Sequence, residues 1–557
     1  MSRIERLLLT GVLAVYTLWV RRFWFVTDDA FITFRYARNL ARGLGPRFNL
    51  GVDPPVEGYS NFLWMLLCAG VEAAGLDVTA WPCLISVILG GVLVWRVFRY
   101  LLTSGLAAPM AAGGALMCAL YTPFAVHATS GLATMPLALA LFLCFEALIA
   151  PGPIRPWRAG LALVALALIR VEGIAWAAAV LALAVLIRRE AADRRALLAS
   201  VLGLGAVYGA YFTWRSGYYG LPFANTVYAK AAFSPARLSR GFDYVAVQLL
   251  TGLTPLLTLP AAARLLRGPG KALTLAITAL ALAPWAYAAL VGGDFMTMGR
   301  FLVPGWAFSA LLITQALAGW TAGTRPALRR AVTAGVIGLG VLSGFDIHPA
   351  PAALRAQLHY RLNRPVEKFR SEYAQWNYQR QNGRRWAALG RAMGYWLAPE
   401  SRVVAGAIGA PGYYSDLFFY DANGLVTPEV LRQPPPPDAA LRSPGHDREV
   451  SADFFLPEAP EVLRANLVRG PDCEAGAIDA FLQLTEDDWL APLRLEGRER
   501  YILELRPLPP GDPWGSDTVL LYWERLADDA DADAARAASE RSLSAPCETL
   551  KRWSTHG

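Results

Sequence analysis

Two adjacent carboxylates, Asp28 and Asp29, stand directly after an apolar stretch near the start of the chain. A carboxylate held beside a hydroxyl can take its proton as a general base. Cations recur at the ends of other apolar stretches: Arg35, Arg170, Lys230 and Arg300. Such cations can hold a phosphate and stabilise it as a leaving group. Together these groups suit a sugar carried on a lipid phosphate, whose anionic head lies at a membrane surface. Neighbouring acids point in different directions, so Asp28 and Asp29 divide the work. One acts as base, and the other orients a loop or binds a cation. A divalent metal is thus compatible with the pair, although no cofactor is required by it.

Further polar residues gather around these: Glu57, Tyr59, Asn61, Glu172, Asn225, Tyr228 and Asp294 are candidates to contact substrate. Each has a plainer explanation. The acid pair alone reads as a solvated helix end. Arg170 with Glu172 reads as an ion pair at a helix turn. Lys230 and Arg300 can snorkel to headgroups, Asp294 can be a turn residue after Gly292 and Gly293, Asn225 can cap a helix, and His127 reads as structural. The functional reading gains from topology, which puts these residues on one side of a membrane, where ionisable groups are costly and usually functional.

The topology follows from composition. Of 557 residues, 55% are hydrophobic and 17% charged, with mean hydropathy +0.33. An ordinary soluble domain is about 25% charged. The apolar residues cluster in blocks up to residue 345. Spans are expected at 5–25, 80–102, 107–125, 133–150, 158–170, 173–188, 196–215, 242–263, 272–291, 300–321 and 329–345, about eleven in all. The first is an uncleaved helix rather than a signal peptide, because no small-residue cleavage site follows it. The pair 158–170 and 173–188 is short, and one long interrupted helix is the alternative. With Arg3 and Arg6 inside, the clusters Arg96/Arg99, Arg155/Arg158, Arg188 to Arg195, Arg264 to Lys271 and Arg325 to Arg330 all fall inside. That is the positive-inside pattern. The outer loops are then 27–79, 126–132, 216–241 and 292–299, and residues 346–557 form an extracytoplasmic soluble domain. Segments 30–42 and 59–76 read as helices lying at the interface.

The net charge of +8 is accounted for by these loop arginines. No basic stripe interleaved with aromatics points to nucleic acid. Cys68, Cys83, Cys118 and Cys144 lie in apolar blocks, while Cys473 and Cys547 stand alone in the C-terminal part and can pair outside the cytosol. No CxxC or His/Cys cluster marks a zinc site.

Six segments in order carry a family resemblance: DDAFITFRYARNLARGLGPRFNLGVDPPVEGYSNFLW (28–64), TSGLAT (129–134), LIRVEG (168–173), RSGYYGLPFANTVYAK (215–230), GGDFMTMGRFLVP (292–304) and AGAIGAPGYYSDL (405–417). The sequence resembles the GT-C membrane glycosyltransferases, and within them the AftB-type arabinofuranosyltransferases of mycobacterial cell-wall arabinan synthesis. The resemblance implies a GT-C fold, a polyprenyl-phosphate sugar donor, a glycan or protein acceptor, and an acid of the first outer loop as catalytic base. On this chain that acid is Asp28 or Asp29, with Asp29 slightly favoured. It also implies a substrate cavity at the outer membrane face, capped by the C-terminal domain. Two departures stand out. The family's Ser-Gly-Leu-Glu-Thr is Ser130-Gly131-Leu132-Ala133-Thr134 here, and Gly51-Val52-Asp53-Pro54-Pro55 stands where Gly-Glu is frequent.

The C-terminal part reads as a small α/β domain, with a charged helix over 355–396, strand-like runs at 403–416 and 418–430, and a proline loop at 434–437. The runs 453–463 and 501–508 read as strand and helix pieces, and 527–541 as a solvated tail. No nucleophile motif or phosphate loop occurs in it. A flippase is the rival class. It needs polar groups across the whole membrane, whereas here they collect on one side.

Overall fold

A computed structural model gives the fold and describes residues 1–229, 234–348, 371–434, 448–469, 501–514 and 518–526, with 351, 353 and 444–446 besides. The first helix, Arg3–Arg22, opens on a capping box in which Ser2 and Glu5 satisfy each other's main-chain N–H. A short turn leads into the Asp28–Ala41 helix, whose first turn holds both acids. The helix expected at the interface after it runs Phe62–Ala73.

Among the described residues five helices are long and apolar enough to cross a membrane, or six if the bent pair Pro235–Gly252 and Thr254–Leu265 is one span, against about eleven spans expected from the sequence. Shorter apolar helices complete the set, among them Ala108–Leu120, Thr134–Leu148, Pro156–Ile169 and Gly173–Ile187. The chain is a multi-pass membrane protein. Helices Ala191–Tyr219 and Pro326–Gly344 form its rim, and their apolar side chains point outward, Leu198 at 60% and Leu202 at 65% exposure. An apolar surface of that kind is a lipid face. Val303–Trp320 lies at the centre and is buried along nearly its whole length.

Several expected blocks break where the sequence breaks them. The 158–170 and 173–188 pair is two helices, not one, because Arg170 takes an extended conformation between them. The 242–263 block bends by 96° at Leu253, just before Pro255. The 107–125 block ends its first helix at Leu120 and restarts as the short, wholly buried helix Thr122–His127.

The C-terminal part carries a five-stranded mixed sheet in the order β2-β1-β3-β5-β4. The strands are β1 (Arg402–Ala405), β2 (Phe418–Asp421), β3 (Val462–Arg469), β4 (Tyr501–Pro507) and β5 (Thr518–Arg525). β1 runs parallel to β2 and β3, while β5 pairs antiparallel with β3 and β4. The long helix Glu372–Trp396 packs beside the sheet, with Arg385 donating to the Leu467 carbonyl at 2.7 Å and Arg391 paired to Asp512 at 2.7 Å. The run 403–416 is not one strand. Only its first residues enter β1, and Gly409–Ser415 turns into a helix that packs between Asp28–Ala41 and Glu372–Trp396. Small residues permit that packing, since a Cβ on Gly390 would lie 2.9 Å from the Ala410 carbonyl oxygen.

Candidate active site

The two acids at the start of the Asp28–Ala41 helix have opposite surroundings. Asp28 is buried, and its carboxylate accepts the main-chain N–H of Ala410 at 2.7 Å and of Gly409 at 3.3 Å. The approach is so close that a Cβ on Gly409 would lie 2.1 Å from the Asp28 carbonyl oxygen, so that position requires glycine. Burial pushes the Asp28 carboxyl up to about 7, although the two N–H donors pull it down.

Asp29 is partly exposed, and among the described residues no hydrogen bond reaches its carboxylate. Burial pushes it up to about 6, against the downward pull of Arg300 and Arg170 and with a smaller push from Asp294. Asp29 therefore lies within the electrostatic reach of both guanidinium groups.

Those guanidinium groups are themselves held in place. Arg300 meets Asp294 in a two-pronged ion pair, 2.8 Å from Nε and 3.0 Å from Nη2. Arg170 Nε lies 2.5 Å from Glu172 Oε1, with both side chains 9% exposed. The turn bearing Arg170 is tied to the first outer loop by the Val171 N–H, which donates to the Ser60 carbonyl at 2.8 Å. A narrow cleft opens between these pairs, lined by Thr134, Arg170, Glu172, Tyr287, Arg300 and Pro304 among others. On the other side of Arg170 lies a second, larger cleft. Its wall combines the buried Glu57–Arg215 ion pair, 2.5 Å apart, with Ser60, Tyr208 and Tyr211. Arg170 is common to both.

The loop that delivers Arg300 is strained. Met298 has φ 57° and Gly299 φ 56°. A non-glycine residue in this region costs of order 1–3 kcal/mol. His127 Nε2 lies 2.9 Å from the Thr297 carbonyl, which can only accept, so Nε2 carries the proton. Burial pushes that imidazole down to about 4, and the ring is neutral.

The remaining candidates divide. Asp294 and Glu172 orient the arginines, and Glu57 lies in the second cleft. Arg35 does not reach the first cleft. Its guanidinium donates to the carbonyls of Gly412 at 2.9 Å and Leu417 at 2.5 Å and lies over the Phe48 ring at 4.2 Å. Asn225 donates to the carbonyls of Gly424 at 2.7 Å and Leu425 at 3.0 Å. Tyr59 meets the Tyr219 hydroxyl at 3.2 Å, and Asn61 accepts from Thr33 at 3.1 Å. Tyr228 is exposed at 38%. Lys230, Cys473 and Cys547 lie outside the described residues. Ala133, where the family has an acid, is fully buried, and its neighbour Thr134 lines the cleft instead. Among the described residues no group of three or more His, Cys, Asp or Glu gathers as a metal ligand set. Tyr287, Thr297, Glu372 and Gln379 had no signal in the sequence. Glu372 stands in an ordinary helix-start pattern behind its cap, Ser371.

Over 339 residues the chain is 29% identical to the terminal beta-(1->2)-arabinofuranosyltransferase of Corynebacterium glutamicum, an alignment covering 53% of this chain and 48% of that protein. The chain thus spans about half the length of the curated relative it matches. ArnT from Cupriavidus metallidurans in its apo state superposes with a TM-score of 0.50 at 16% identity, over 93% of this chain and 97% of that one. Residues 371–494 match a family described as a domain of unknown function, DUF8728. The chain shares its fold with ArnT and is similar in sequence to an arabinofuranosyltransferase.

Proposed function

We propose that this protein is a glycosyltransferase that moves arabinofuranose from a polyprenyl-phosphate donor to an acceptor glycan at the outer face of the cytoplasmic membrane. One observation carries the reading: Asp29, whose carboxylate has no hydrogen bond among the described residues, lies within the electrostatic reach of Arg170 and Arg300, two carboxylate-anchored guanidinium groups that line a cleft. Phosphate binds where Arg170 and Arg300 converge. As the bond from the anomeric carbon to the phosphate oxygen breaks, the two cations stabilise the charge on the departing lipid phosphate. Asp29 takes the proton of the acceptor hydroxyl as its oxygen attacks that carbon. Asp294 and Glu172 keep the guanidinium planes in position, and their negative charge limits how tightly the phosphate is retained. The second cleft joins the first at Arg170 and offers a buried charged pair and tyrosine rings to the other substrate.

The arginine clusters support an orientation with residues 27–79 and the C-terminal sheet outside. The similarity to the Corynebacterium glutamicum enzyme supports arabinofuranose. Purified protein in lipid nanodiscs, given polyprenyl-phosphate [¹⁴C]arabinofuranose and an arabinan oligosaccharide, should extend the oligosaccharide. Transfer that proceeds equally well with Asp29→Asn would remove the base assignment. Labelling of an introduced cysteine at residue 445 from the cytosolic side would reverse the orientation.

A further inference from the structure

The cation Arg300 stands two residues after Met298, and Met298 and Gly299 are both left-handed. Glycine adopts this conformation freely, and methionine does not. Gly299 cannot be exchanged easily, since a Cβ there would lie 2.9 Å from Gln248 Oε1. The Arg300 side chain is fixed at its far end by Asp294, so its remaining freedom lies in the backbone turn that carries it.

That turn is held by the C-terminal part of the chain. The Met298 N–H donates to Glu372 Oε2 in a very short contact. The Thr297 hydroxyl lies 2.8 Å from the Glu372 carbonyl oxygen and 3.3 Å from Oε2. Gln379, two turns along the same helix, accepts the Thr297 N–H at 3.2 Å and donates to the Phe295 carbonyl at 3.0 Å. Glu372 is 4% exposed, so this carboxylate works against the turn and not against a ligand in solvent. A buried carboxylate accepting a main-chain N–H is among the stronger hydrogen bonds available to hold such a conformation.

We propose that Glu372 is a positioning residue for Arg300: its carboxylate fixes the Met298–Gly299 turn and thereby sets where the Arg300 guanidinium meets the phosphate of a polyprenyl phosphate. The inference rests on the donor reading given above. It gives the C-terminal part, which carries no nucleophile or phosphate motif of its own, a direct share in donor binding.

Binding of undecaprenyl phosphate to the full-length protein in nanodiscs tests it, read by tryptophan fluorescence, with Trp176 on the cleft wall as a reporter. Glu372→Ala should weaken binding about tenfold, the scale of one charge-assisted hydrogen bond. Glu372→Gln should bind like wild type, because its amide oxygen still accepts the Met298 N–H. Met298→Gly added to Glu372→Ala should recover most of the loss, since glycine needs no carboxylate to stay left-handed. Glu372→Ala added to Arg300→Ala should cost nothing further. Unchanged binding in Glu372→Ala overturns the positioning role while leaving the donor reading intact. So does a loss that Met298→Gly fails to rescue in protein that still melts cooperatively. No saturable binding by wild type overturns the donor reading itself, and the inference with it.

Discussion

The Asp28–Ala41 helix meets two regions that treat polar groups in opposite ways. Along one side runs a seam to residues 409–425, and there, apart from the exposed Arg42–Asp416 ion pair, the side chains are spent on main-chain partners. Asp28 takes two N–H groups, Arg35 two carbonyls, and Arg38 donates to the Tyr413 carbonyl at 2.6 Å. Asn49 both donates to and accepts from Phe419, at 2.8 and 3.0 Å. Toward the helix start lie the cleft arginines, where Arg170 and Arg300 bond to carboxylates and the Asp29 carboxylate, which feels both charges, has no hydrogen bond among the described residues. A main-chain partner is fixed and cannot be exchanged for a ligand. A side-chain partner can share its donors with an arriving phosphate. The same residue types therefore hold the fold on one side and stay available for chemistry on the other.

The sharpest way to break this comparison is to remove the base. Asp29→Asn should lower transfer about 10³-fold, within the usual range for a general base, with an unchanged melting temperature because no bond is lost. Arg300→Ala comes next. It removes one of two phosphate ligands and leaves Asp294 buried without its partner, and kcat/KM should fall about 100-fold. If Arg300→Ala transferred sugar like wild type, the phosphate would have to bind elsewhere.

Residues of the seam should show the reverse pattern. Arg35→Met keeps the length and apolar stem of the side chain and removes the Arg35 donor from the Leu417 carbonyl, while the Gly412 carbonyl keeps the Asp416 N–H at 3.2 Å. It should cost about 1–2 kcal/mol of stability, seen as a lower melting temperature, while the folded fraction keeps its rate. A selective loss of donor binding in folded Arg35→Met protein would move Arg35 back to the cleft.

Sequence patterns showed a multi-pass chain of apolar helices, since apolar length follows from the membrane itself, but of about eleven expected spans five or six among the described residues are long and apolar enough to cross. Asp29, Arg170, Glu172, Asp294 and Arg300 were likewise visible as ionisable residues beside apolar blocks. Arg35 was misplaced for a physical reason. It follows Asp28 and Asp29 by about two turns, but the seam partners that occupy it come some 380 residues later, and no local pattern records them. The helix at Gly409–Ser415 was hidden similarly, because glycines and a proline give it weak local propensity. It packs against two other helices, and Asp28 accepts two of its main-chain N–H groups. Glu372 was invisible because a glutamate after a capping serine is ordinary, and its real partner is a strained turn more than 70 residues earlier.

The smallest expected effect discriminates best between the two neighbouring acids. Asparagine at position 28 keeps a carbonyl oxygen for the Ala410 N–H and turns an amide group toward the Gly409 N–H. That should cost about 1 kcal/mol and reduce transfer less than tenfold. The pH profile then shows which acid titrates in the reaction. Asp29 is raised from the ordinary 3.8 to about 6, and a base works only when deprotonated. The rate constant kcat/KM should therefore be flat above that value and fall about tenfold for each pH unit below it. In Asp28→Asn the limb near 6 should persist, because the titrating group is untouched. If the limb disappeared with Asp28 and survived in Asp29→Asn, the acid held by the seam would be the base, and the division between seam and cleft would not hold at the point where they meet.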